Sequence, residues 1–223
     1  MTEKRIRNVP PLQGYDLWSE QYDAMPNPVV ALEGRVSQEL LQPRRGELIL
    51  DAGCGTGRNL IPIAEAGAIP LGLDFSLGML RQARRKQSDL LLAQADFHHP
   101  LPLASSSFNA ALCALVGEHI SNIEMFFKEI RRVLKPNGRF IFTVYHPDLA
   151  QQGVQANFDH QGEEYRLGAV LYTTENYADA LQAAGFGNLQ VAHHEGDAAL
   201  EAETGKPGAL VGRRLLLSVR LQS

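Results

Sequence analysis

The chain has 223 residues, 44% of them hydrophobic, which supplies one substantial core and excludes a disordered polymer. A formal net charge of -4 and a pI near 6.0 leave no electrostatic footprint for nucleic acid. Cys54 and Cys113, both in apolar strand-like contexts, suit reduced thiols in a cytoplasmic protein and not a disulfide framework; no ligand cluster suggests a metal.

The N-terminal stretch MTEKRIRNVPPLQ lacks the apolar run of a signal peptide, and no segment is long enough to cross a bilayer, so a soluble cytoplasmic protein is expected. Residues 1 to 14 are charged and contain proline, which predicts a loose arm. Residues 15 to 42 read as helical, and Tyr15, Trp18 and Tyr22, at spacings of three and four, fall on one face. That face either packs on a core or caps a ligand site.

From Glu47 onward short apolar runs alternate with helical segments, the pattern of crossover units and a parallel sheet. Strands are predicted near 47 to 52, 68 to 73, 89 to 94, 107 to 114 and 138 to 145, with helices near 57 to 67, 76 to 87 and 121 to 134. Pro136 and Gly138 are expected to stop the last helix and turn the chain. The basic runs at 81 to 86 and 128 to 132 read as solvated helix faces. Residues 147 to 171 are polar and weakly periodic, long enough for a functional insertion. A helix follows at about 174 to 184, and strands near 187 to 194 and 210 to 220 make a closing hairpin.

The chemistry is concentrated in LILDAGCGTGRNL, residues 48 to 60, where a strand, a glycine turn and a helix start succeed one another. Gly53, Gly55 and Gly57 let the backbone bend sharply and approach a ligand closely. A dinucleotide fingerprint fails, because its sixth position is Arg58. Asp51 at the strand end would repel phosphates and attract a cationic amino group. Asp74, a strand and a helix downstream in GLDFS, has the chemistry to accept both hydroxyls of a ribose, and Asp96 in AQADFHHPLPL that to accept from the exocyclic amine of adenine. His98 and His99 read as an exposed turn.

The succession DAGCGTG, GLDFS, QADFHHPLP, FNAALCALVGEHI and EIRRVLKPNGRFIFTVYHP resembles the class I S-adenosylmethionine-dependent methyltransferases, in particular the small-molecule group called type 11, over roughly residues 15 to 220. The resemblance implies an α/β fold with a Rossmann-like, doubly wound seven-stranded sheet of order 3-2-1-4-5-7-6, the last strand antiparallel, beneath an N-terminal helical cap. It implies one methyltransferase domain over 1 to 223, with arm and cap to 46, cofactor core to 146, substrate-side insertion to 171 and a final helix and hairpin. S-adenosylmethionine is the implied cofactor. Asp51, Gly53 and Gly55 would surround its methionine part, Asp74 its ribose, and Phe75 and Met79 its adenine. Asp96 and Phe97 would contact the base, Leu115 the methionine moiety and Tyr22 the carboxylate end.

In open α/β folds the site lies beyond the carboxyl ends of the strands, where Glu118, His119, Tyr145 and His146 fall. His119 and His146 are the candidate bases, should the acceptor lose a proton. Tyr165, Arg166 and Tyr172 of the insertion are further candidate acceptor contacts. ALVGEH replaces the N-P-P-Y type element of DNA-base methylating enzymes, and no paired carboxylates suggest a catalytic magnesium. The expected function is methyl transfer to a small soluble acceptor by in-line displacement. A binding protein without transfer, or a nicotinamide oxidoreductase, is the alternative.

Overall fold

The computed structural model describes residues 4–222. The chain enters through a short strand, β1 (Ile6–Asn8), and a helix, α1 (Pro11–Trp18), and after a 3-10 turn over Tyr22–Ala24 forms α2 (Pro28–Leu41). Residues 15 to 42 are therefore not one helical run, and within the expected arm residues 6–8 and 11–14 are ordered as strand and helix. The break has a local cause. Pro26 and Pro28 flank Asn27, and a proline withholds an amide and disfavours helical geometry in the residue before it. Asn27 converts the break into a new start, its Oδ1 accepting from the amides of Val29 at 2.9 Å and Val30 at 3.4 Å.

Beyond α2 the alternation read from the sequence is present: β2 (Leu48–Ala52), α3 (Leu60–Glu65), β3 (Ile69–Asp74), α4 (Leu77–Lys86), β4 (Leu91–Gln94), β5 (Phe108–Ala114), α5 (Ile123–Val133) and β6 (Leu134–Tyr145). After α6 (Pro147–Gln151), β7 (Asn157–His160), β8 (Glu163–Arg166) and α7 (Thr174–Ala183), the chain finishes with β9 (Gly187–Glu195), α8 (Ala198–Thr204) and β10 (Arg214–Gln222). The main sheet has seven strands in the order β4-β3-β2-β5-β6-β10-β9, with β10 antiparallel to both its neighbours. Counted from β2 as the first strand, this is the order 3-2-1-4-5-7-6.

Burial explains why the middle strands read as unbroken apolar runs: six of the seven residues of β5 are buried, since helices cover both faces of a parallel sheet. On α5 the residues Phe126, Phe127, Ile130 and Val133 recur at helical spacing and are buried. The Phe127 ring meets Phe140 and Phe142 edge-on at centroid distances of 6.0 and 5.1 Å. Burial of each such ring stabilises the fold by about 1.5–3 kcal/mol.

Three segments depart from the sequence reading. The turn expected at Pro136 and Gly138 is absorbed into β6 as an irregularity: Phe108 pairs with Leu134 and Ala110 with Arg139, so the extra residues loop out while pairing continues. The insertion folds into α6 and a hairpin of β7 and β8, turned by Gln161 (φ 50°) and Gly162 (φ 81°), and β1 adds to β8 in parallel. The loop of the closing hairpin contains α8, capped by Asp197, which accepts from the Leu200 amide at 2.7 Å, and ended by Gly205 at φ 66°. Among the described residues no helix is long and apolar enough to cross a membrane, no His, Cys, Asp and Glu cluster could hold a metal ion, and Cys54 and Cys113 are buried free thiols.

Candidate functional site

β2 ends at Ala52 and the chain turns through Gly53, Cys54 and Gly55. The amides of Gly53 and Cys54 both donate to the carbonyl of Leu73, at 2.7 and 2.9 Å, which pins the turn to β3. Gly53 has φ +88°, and a β-carbon there would lie 2.2 Å from Cγ2 of Val116. At Gly55 (φ +53°) a β-carbon would instead meet open space. Bare peptide thus faces a partly open cavity with about 750 Å³ of space not filled by protein atoms.

Of the ten residues the resemblance assigns to the cofactor, all but Asp51 line this cavity. Asp74, at the end of β3, accepts from the Gly55 amide at 2.9 Å and the Ser76 amide at 2.8 Å, so one carboxylate braces two turns. Burial pushes its pKa up to about 6 against those bonds. Asp51 lies deeper, at 1% exposure, and neither carboxylate oxygen has a hydrogen-bond partner. Burial drives its pKa up to about 7, opposed by the positive charge of Arg58. Arg58 itself lines the cavity and pairs with buried Glu33, which also accepts from Ser37 and from Thr143.

The N-terminal elements close the cavity from above. Tyr15 and Tyr22 line it, Tyr15 stacking on Trp18 at 5.9 Å and Tyr22 meeting Trp18 at 4.9 Å. Asp16 accepts from the Ser76 hydroxyl at 2.6 Å and the Gly78 amide at 2.9 Å, which fastens α1 to the start of α4. Asp23 accepts from Thr56 at 2.7 Å and pairs with Lys86 at 2.7 Å, fastening the 3-10 turn to the glycine turn. Lys86, read as part of a solvated face, therefore holds the cap. At the end of β5, Leu115 lines the cavity with φ 58°, a left-handed conformation that costs a non-glycine residue roughly 1–3 kcal/mol.

His119 lines the same cavity. Its Nε2 shares a hydrogen bond with the Tyr15 hydroxyl at 3.0 Å, its Nδ1 has no partner, and burial lowers its pKa so that the ring is neutral. His146 is not brought there. Its Nδ1 accepts from the Asp148 amide at 3.2 Å to cap α6, and its Nε2 lies 2.7 Å from Nδ1 of His193. Asp96 contributes from a more exposed position, bonded through Oδ1 to the backbone amide and ring Nδ1 of His98 at 3.0 and 2.8 Å. His98, set aside in the sequence as an exposed turn, also lines the cavity. Tyr15 lines it from the aromatic face that the sequence leaves open between core and cap, and Arg58, which registers in the sequence only as the residue that breaks a fingerprint, lines it too.

Two further cavities flank Tyr145. The inner one is lined by Glu118, Tyr172 and Tyr177 among others; the outer one, more open, counts Lys206 and Arg213 among its lining. Of the insertion candidates, Tyr172 alone lines either of them. Tyr165 stacks on Phe158 at 5.3 Å, and Arg166 pairs with Glu164 at 2.7 Å.

A methyltransferase domain family model matches residues 50–142. The demethylmenaquinone methyltransferase of Corynebacterium kroppenstedtii is 30% identical over 141 residues, 61% of this chain and 59% of that protein, so the chain spans little more than half of that relative. An uncharacterised protein of Methanocaldococcus jannaschii is 34% identical over 196 residues, 77% of this chain and 74% of its own length. Among solved structures, an S-adenosylmethionine-dependent methyltransferase from Mesorhizobium loti superposes with a TM-score of 0.72 at 22% identity, covering 85% of this chain and 96% of that one. The chain belongs to the class I S-adenosylmethionine-dependent methyltransferases.

Proposed function

We propose that the chain binds S-adenosylmethionine over the Gly53 to Gly55 turn and transfers its methyl group to a small acceptor. The observation that carries this reading is the Asp51 carboxylate, buried beneath bare peptide with both oxygens unpartnered. An anion so placed is stabilised by a cationic group above it and repels a diphosphate. When bound, the sulfonium compound supplies an electrophilic methyl group, so the chain's own task is alignment and exclusion of water.

The residues fit each part of such a ligand. Asp74, already orienting the Gly55 and Ser76 amides, has lone pairs left for two ribose hydroxyls. Phe75, Met79 and Phe97 offer apolar surface for a purine, and Asp96 an acceptor for its amine. Arg58 and Tyr22 offer a cation and a hydroxyl for a carboxylate. The strained Leu115 backbone and Val116 form the wall beside the glycine turn. A histidine base, where an acceptor requires one, is His119, since His146 is occupied elsewhere.

Calorimetric titration with S-adenosylmethionine, S-adenosylhomocysteine and a nicotinamide dinucleotide tests the binding. The two adenosyl compounds should bind and raise the melting temperature, and the dinucleotide should do neither. Incubation with labelled methyl donor and a fractionated metabolite extract then tests transfer; donor binding with no labelled product would favour a binding protein instead.

A further inference from the structure

Glu118 sits on the 3-10 turn Gly117–His119 directly after β5, and a β-carbon at Gly117 would come within 2.6 Å of the Phe142 ring, so this turn is held tight against β6. The residue is 6% exposed, and its Oε2 is closed off from solvent with no hydrogen-bond partner. Among the described residues no lysine, arginine or histidine lies at ion-pair distance from it. Among the described residues it is the only charged side chain lining the inner cavity, whose walls include Tyr145, Tyr172 and Tyr177. The hydroxyls of two of these have other partners: Tyr172 donates to the carbonyls of Ile120 and Ser121 at 3.0 and 2.9 Å, and Tyr145 accepts from Asn27 at 3.1 Å.

A buried carboxylate without a counter-ion is costly, and nothing in the fold compensates this one. Aromatic ring faces attract cations and repel anions. A metal ion would need several oxygen or nitrogen ligands, and the described residues gather no such group. What fits is a cation that brings its own hydrogen-bond donors and some apolar surface. We infer that Glu118 receives the amino group of the acceptor, so that the reaction methylates an amine nitrogen. The inference rests on the methyl-transfer reading above and gives its acceptor a chemical class.

The step balances without a further reagent. An ammonium group entering the chamber pairs with Glu118 and hands it a proton, a transfer that neutralises two buried charges and is favoured where water is excluded. The nitrogen lone pair then forms the bond to the methyl carbon as the carbon–sulfur bond breaks, and that electron pair returns to sulfur. Glu118 is thereby a binding residue and the proton's recipient, and His119 is left neutral.

The test is calorimetric titration, in saturating S-adenosylhomocysteine, of phenethylamine and tryptamine against their neutral isosteres 2-phenylethanol and tryptophol. At least one amine should bind about tenfold or more tighter than its alcohol, the scale of a charge-assisted bond. In Glu118→Gln that preference should fall to within about threefold, with the affinity for S-adenosylhomocysteine unchanged. Since Glu118→Gln removes an uncompensated charge, its melting temperature should stay within ~2 °C of the native value or rise. Equal binding of both amines and their alcohols by the native protein would overturn the inference without recourse to any variant. So would undiminished preference in Glu118→Gln, or a melting temperature lowered by several degrees. Failure of S-adenosylhomocysteine to bind at all would instead remove the methyl-transfer reading on which the inference stands.

Discussion

The turn after β2 and the chamber beyond β5 and β6 stand at the same edge of one sheet, yet they are assembled differently. The donor side centres on the three turns that follow β2, β3 and β4, braced by backbone amides and the Asp74 carboxylate. The acceptor side gathers Glu118, Tyr145, Tyr172 and Tyr177 from four separate elements, with the N-terminal turn and the insertion folded over them. A site built on backbone turns tolerates little change and varies little in what it holds; a site collected from distant side chains can be altered one wall at a time. The donor side should therefore respond sharply to small substitutions, and the acceptor side should respond selectively.

The largest effect is expected at Gly53. Gly53→Ala forces a left-handed conformation on a residue with a β-carbon and drives that carbon into Val116, each at roughly 1–3 kcal/mol. The melting temperature should drop by several degrees and donor binding should be lost; a variant that melts and binds like the native protein would break the claim that the donor side is backbone-built.

Asp74→Ala is expected to weaken S-adenosylhomocysteine binding by roughly 1–3 kcal/mol, about five- to 150-fold. The variant also costs stability, because the Gly55 and Ser76 amides both lose their acceptor, a further loss of roughly 1–3 kcal/mol. Asp74→Asn, which keeps one acceptor oxygen, should recover part of the stability and less of the affinity.

A smaller effect is expected from pH. With a folded pKa of about 7 against an ordinary carboxylate value near 3.8, Asp51 binds its proton more tightly in the folded chain than in the unfolded one. Stability of the ligand-free protein from this group is thus fullest below the ordinary value and is lost as pH rises through about 7. Donor affinity runs the opposite way, since a cationic ligand prefers the ionised carboxylate. From pH 6 to pH 8 the affinity should rise about three- to tenfold, with proton release on binding visible as a dependence of binding heat on the buffer's ionisation enthalpy. In Asp51→Asn the rise should shrink to the roughly twofold that Asp74, with its pKa of about 6, still contributes.

The smallest effect is reserved for His146. Capping α6 and bonded to His193, it has no place in either site, so His146→Ala should leave donor affinity and transfer rate within about twofold, with a loss of stability on the order of 1 kcal/mol. A large fall in transfer rate with donor affinity intact would return His146 to the chemistry.

How far the sequence could be read follows the same division. The glycine turn, Asp74 and the central strands are legible because each rests on local rules: alternation of apolar runs, glycine where φ is positive, an acid at a strand end. Glu118 and His146 look alike in sequence, each a polar residue after a buried strand, and only the packing of 167 to 172 over one and of β9 beside the other separates them. Arg58 could not be placed without Glu33, which lies on another element and carries no motif. The break in the N-terminal helix and the helix α8 were signalled, by Pro26-Asn27-Pro28 and by Asp197 with Gly205, and went unread because each is a capping signal inside a stretch taken for something longer or looser.

Binding of S-adenosylhomocysteine to the native protein and to Asp51→Asn, followed by calorimetry at pH 8, tests the central claim most directly. One molecule per chain should bind the native protein, and removal of the Asp51 charge should weaken that binding about tenfold or more while the fold stays intact. Equal affinity in the two proteins, or a native protein that ignores the adenosyl compound and takes up a diphosphate-bridged dinucleotide, would contradict it.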